Sequence, residues 1–88
     1  MSKHKILGKT WNVKFTNEGL ACGDYAATSC EFNEIVIRPK QKPRDMLDTI
    51  IHEALHAACP HLTEDAVVHA AGVCVDIIYK HKKKVGIK

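Results

Sequence analysis

Two prolines, Pro43 and Pro60, frame the stretch that most restricts this chain. Proline fits the first turn of a helix but cannot extend one, and it disfavours helical geometry in the residue before it. The interval from Arg44 to Cys59 contains neither glycine nor proline, so the spacing predicts a helix over about 43–59. A second helix is predicted over about 63–81. Thr63 is its N-cap, Glu64 and Asp65 sit at the positive end of its dipole, and Lys80, Lys82, Lys83 and Lys84 lie near the negative end. Gly72 inside it predicts close helix packing, since glycine there costs about 1 kcal/mol relative to alanine.

Upstream of Pro39 the pattern changes. Trp11, Val13 and Phe15 alternate with Asn12 and Lys14, the period of a half-buried strand. Thr16 to Gly19 reads as a turn, Leu20 to Thr28 as a weaker strand, and Cys30 to Ile37 as the better one, ending in Ile35-Val36-Ile37. Strands first and helices second predict an α+β domain: about three strands in an antiparallel or mixed sheet, with two packed helices on one face. The whole of 1–88 is expected to form one domain, with strands over about 4–37, a basic loop at 38–44, the two helices and a basic tail at 82–88. At 88 residues the core is thin, and small domains often add a metal, disulfides or oligomerisation. No apolar run approaches the roughly 18–20 residues of a membrane span, and the first residues do not read as a signal peptide. A cytoplasmic protein is expected, with Cys22, Cys30, Cys59 and Cys74 reduced and mostly buried.

Charge is unevenly placed. Between Asp45 and Tyr79 there is no Lys or Arg, while Asp45, Asp48, Glu53, Glu64, Asp65 and Asp76 are joined by His52, His56, His61 and His69. A bound divalent cation would supply the missing positive charge. Within the first helix, His52-Glu53-Ala54-Leu55-His56 is H-E-x-x-H. Shuffled chains with six His and five Glu give this pattern in roughly 2% of cases, so it is informative. At about 100° per residue the two imidazoles lie about 40° apart on successive turns and can reach one ion. Glu53 then lies beside that ion, placed to accept a proton from a zinc-activated water.

A catalytic zinc takes three protein ligands and keeps a position open. Glu64 is the favoured third ligand, because its helical stripe with Val68, Ala71, Val75 and Ile78 should pack inward and a buried carboxylate needs a partner. His61, just past Pro60, is the alternative; Asp65, His69 or a two-histidine site are the remaining options. Asp48, one turn before His52, is placed to accept its second ring N–H. Tyr25, Tyr79 and His69 are candidates for oxyanion stabilisation.

The stretch from Leu47 to Val67, with His-Glu-Ala-Leu-His-Ala followed by Pro60, Leu62, Thr63, Glu64 and Asp65, resembles small zincin-like proteins of the type encoded by bacteriophages. More distantly it is similar to SprT-like and minimal gluzincin metallopeptidases. Cys59 and Leu62 stand where the metzincin extension would have Gly and His. The resemblance implies a sheet, an active-site helix carrying His52, Glu53 and His56, and a second helix giving the third ligand. The activity expected is that of a zinc-dependent peptidase, cutting a peptide or protein substrate laid along the Cys30 to Ile37 strand. The runs Arg38 to Arg44 and Lys80 to Lys84 are candidate phosphate contacts, so the competing expectation is a non-catalytic, zinc-stabilised module that binds nucleic acid or a host protein. No aromatic residue interleaves either run, which argues against base stacking.

Overall fold

The computed structural model describes residues 2–86. Strands β1 (Ser2–Ile6), β2 (Lys9–Phe15), β3 (Ala26–Ser29) and β4 (Glu34–Ile37) precede helices α1 (Pro43–Ala58) and α2 (Glu64–Lys80). The architecture is α+β, with a four-stranded mixed sheet in the order β1-β2-β4-β3. β1 pairs antiparallel with β2, β2 parallel with β4, and β3 antiparallel with β4.

The sheet has one strand more than the three expected. Ser2–Ile6 is almost wholly polar and exposed, so no alternation announces it. It is held by a two-residue turn in which Leu7 and Gly8 both have positive φ, 51° and 79°. That is the backbone a tight hairpin turn of the mirror-image type demands.

β4 occupies the interior of the sheet because Ile35, Val36 and Ile37 are buried on both of its faces, at 3%, 8% and 1% exposure. The predicted strands at Leu20–Thr28 and Cys30–Ile37 shrink to Ala26–Ser29 and Glu34–Ile37, with turns taking up most of the remainder. Both edges of β4 are hydrogen-bonded, so, contrary to expectation, a peptide cannot add to the Cys30 to Ile37 strand. The free edge beside it belongs to β3.

Trp11, Ile35, Ile37 and Ala57 form the core cluster, with Val13, Ala26, Met46 and Ile50 packed on it. α1 lies over the β3 and β4 half of the sheet, and α2 packs on α1. Pro43 starts α1, and the hydroxyl of Thr63 accepts the Ala66 N–H at 3.1 Å to cap α2. Val67, Ala71 and Val75 are the residues α2 buries. Gly72 has nothing within 4 Å of where a Cβ would stand, so the close helix packing expected there is absent. Cys22, Cys30 and Cys74 are exposed and only Cys59 is partly covered, against the expected buried thiols; all four are unpaired. They fall on turns and on the outer side of α2, outside the core cluster. The tail turns through residues 81–86, and the last two residues of the expected 82–88 segment lie outside the described ones. No helix among the described residues is long and apolar enough to cross a membrane.

Candidate metal centre

One turn of α1 brings the His52 and His56 rings into an edge-on pair, centroids 4.7 Å apart at 68°. Their Nε2 atoms are 3.1 Å apart. The chain then turns at Cys59–Thr63, and the Thr63 cap fixes the first residue of α2, Glu64, over both rings. Its Oε1 lies 3.0 Å from His52 Nε2 and its Oε2 2.9 Å from His56 Nε2. Among the described residues these three form the one group of His, Cys, Asp or Glu side chains whose ligand atoms converge within 4.8 Å.

The donor set fits a small divalent cation. Zinc bonds of about 2.0–2.2 Å in a tetrahedron put neighbouring ligand atoms roughly 3.3 Å apart. The two Nε2 atoms, 3.1 Å apart, are close to that spacing, and the carboxylate presents a different oxygen to each ring, at 3.0 and 2.9 Å. Each Nε2 carries one proton or one lone pair. If both are protonated, each can donate to Glu64 but the two N–H groups confront each other; a shared cation relieves that conflict by taking the lone pair of each Nε2 together with a carboxylate oxygen.

Glu64 does not, however, lie on a buried stripe. Its side chain is 63% exposed, as is much of Val68, and the inward stripe is Val67, Ala71 and Val75. Glu64 reaches the histidines because it begins the helix and projects over the end of α1, not because it is buried. His61 is exposed on the turn after Pro60, and Asp65 and His69 are exposed on α2; none joins the converging group.

Among the described residues Glu53 is the one charged residue in the buried set. Thr28 of β3 donates its hydroxyl proton to Oε1 at 2.7 Å, while Oε2 stands 3.9 Å from His52 Nε2. One oxygen is therefore fixed by the sheet and the other faces the histidines. Thr28 is the member of this group that sequence reasoning missed. Its only signal is a hydroxyl on a short strand, and nothing local distinguishes it from Ser29.

An open cleft of about 430 Å³ adjoins the group, lined by Asp24, Tyr25, Ala26, Asp48, Thr49, His52, Glu53 and Glu64. Asp48 lines this cleft rather than bonding to the His52 ring. Of the oxyanion candidates only Tyr25 lies here. His69 faces outward, and Tyr79 sits at the opposite end of the helix pair beneath Arg44 and Lys82. In comparisons with protein-family models, curated proteins and solved structures, the chain has no match.

Proposed function

We propose that this chain is a zinc-dependent hydrolase of the metallopeptidase type. The observation that carries the reading is the convergence of His52, His56 and Glu64 beside a carboxylate whose second oxygen is left free. Zinc at that point would supply Lewis acidity toward a carbonyl oxygen and acidify water. His52, His56 and Glu64 would hold it, with His61 outside the set. Thr28 holds Oε1 of Glu53, so Oε2 is the oxygen that takes a proton from the attacking water and passes it to the leaving amine. A peptide would add to the free edge of β3, Ala26–Ser29, with its carbonyl toward the histidines and the Tyr25 hydroxyl at the lip of the cleft. Three exposed, unpaired thiols favour a reducing compartment such as the cytoplasm.

The test is metal content and peptide hydrolysis together. Wild type and His61→Ala should each hold about one zinc, and Glu64→Ala much less. Glu53→Gln should keep its metal and lose about 10³-fold in kcat. Undiminished hydrolysis by Glu53→Gln rejects the reading.

A specific observation favours a second reading. Arg44 and Lys82 approach the Tyr79 ring at 5.5 and 4.8 Å from its centroid, so the two basic runs meet around an aromatic residue. A phosphate backbone would find several cations at that end of the molecule, with the ring covered against base stacking. Salt-steep nucleic-acid binding that Glu53→Gln leaves intact, with no hydrolysis by wild type, would select a zinc-stabilised binding module instead.

A further inference from the structure

We infer that the cleft beside the metal-facing group selects peptides with a lysine or arginine two or three residues from the bond to be cut; this rests on the hydrolase reading and names its substrate class. The cleft does not end at His52. A second recess of about 260 Å³, lined by Tyr25, Gln41, Asp45, Asp48 and Thr49, shares Tyr25, Asp48 and Thr49 with it, so the two form one trough. One stripe of α1 lines its length: Asp45, Asp48, Thr49 and His52 recur at the spacing of a single helical face.

Charge along the trough has one sign. Asp24 lines it just ahead of β3, Asp45 and Asp48 line it from α1, and no Lys or Arg joins them among the described residues. The nearby cations are turned elsewhere: Arg38 lies 5.8 Å from the Tyr25 ring centroid and reaches the Ala21 carbonyl, and Arg44 pairs with Asp76. Among the described residues none of the three aspartates has an ion-pair partner. A divalent ion held by His52, His56 and Glu64 would balance Glu53 and Glu64 and leave these three uncompensated. The helix dipole accounts for Asp45, in the first turn of α1, but not for Asp48 a turn later or for Asp24 outside any helix. In a chain of formal net charge +3, this local excess of negative charge focuses a field that draws in a cation.

A second observation marks the trough as a place for a ligand. Glu53, only 9% exposed, lines it, and its Oε2 accepts no hydrogen bond among the described residues. A covered carboxylate oxygen without a donor calls for one from outside the chain. Helix length then sets where the cation falls. Asp48 and Asp45 stand four and seven residues before His52, about 6 and 10 Å along the axis. An extended peptide advances about 3.3 Å per residue, so the two carboxylates come level with the second and third residues from a carbonyl at the histidines. Thr49 donates its hydroxyl to Gln41 at 2.9 Å, which leaves the aspartates to receive the incoming side chain.

A pool of randomised, end-blocked decapeptides is digested with the zinc-loaded chain and the cut sites are read by mass spectrometry. Lys and Arg should be enriched at least about fivefold at the second or third residue on one side of the cut. Asp45→Asn combined with Asp48→Asn should bring the enrichment below about twofold with zinc content unchanged, and Asp45→Lys with Asp48→Lys should turn it toward Glu and Asp. Fluorescence anisotropy on the Glu53→Gln chain measures the same preference with no bond cut: a labelled decapeptide of alternating lysine and serine should bind at least about fivefold more tightly than one of glutamine and serine. The two Asn changes should abolish that difference. Cutting without enrichment, or enrichment that survives the two Asn changes, overturns the inference and leaves the hydrolase reading standing. A pool left uncut rejects the hydrolase reading, and anisotropy then decides the inference alone: equal binding of the two peptides, or a difference that outlasts the Asn changes, overturns it.

Discussion

The two ends of the α1–α2 pair are built on opposite principles. Where α1 finishes and α2 begins, imidazoles and carboxylates crowd onto one point with no Lys or Arg among them, and a cation is the natural complement. Where α1 begins and α2 finishes, cations are in excess. They spread over a ring and one carboxylate: Arg44 pairs with Asp76, and Arg44 and Lys82 lie over Tyr79. The first end has a defined geometry and is half covered; the second is exposed, with side-chain accessibilities of 48% and 69% for Arg44 and Asp76. Convergent, partly desolvated charge concentrates free energy in one bound ion. Dispersed surface charge gives each pair about 1 kcal/mol at most.

Removing the ion is the strongest way to break this contrast. At free zinc about a thousandfold above its dissociation constant, mass action stabilises the native state by about 4 kcal/mol, roughly 15–30 °C in midpoint for a domain of this size. Calorimetry with and without chelator measures that gap, and equal midpoints would leave the metal end with no ion to hold. A smaller effect should come from the Thr28 hydroxyl that holds Glu53. Thr28→Val should lower kcat about tenfold, the scale of one charge-assisted hydrogen bond, with KM and zinc content unchanged; Thr28→Ser should recover the loss. If Thr28→Val leaves kcat alone, Glu53 is positioned without the sheet. The smallest effect belongs to the basic end. Arg44→Ala should cost under about 1 kcal/mol in denaturant titration and lose even that in concentrated salt. Were nucleic acid bound there, the same change should reduce the salt slope of binding by about 1.

The parts of this molecule that the sequence discloses are those with a local cause. Pro43, Pro60 and the Thr63 cap bound the helices to within a residue or so, and helical geometry alone stacks His52 on His56. Glu64 meets the histidines for a reason the wheel does not contain: the wheel puts it on an inward stripe, whereas it reaches them from the exposed first turn of α2. Contacts made across the fold had no local trace. Thr28 meets Glu53 only because β3 joins β4 and α1 rests over both strands, a sequence separation of 25 residues. β1 was invisible because a polar edge strand has no buried face to impose alternation. The meeting of the two basic runs around Tyr79 likewise depends on antiparallel helix packing, which no spacing within either run encodes.

Because Glu64 is the first residue of α2, its position is only as firm as the Thr63 hydroxyl that closes that turn. Helix ends open and close continually, and each opening would swing one of the three ligands away. The grip on an ion held there would thus be set partly by how often a single turn unwinds, which links a capping preference to occupancy. A change at position 63 would retune the metal centre without touching any atom that contacts it.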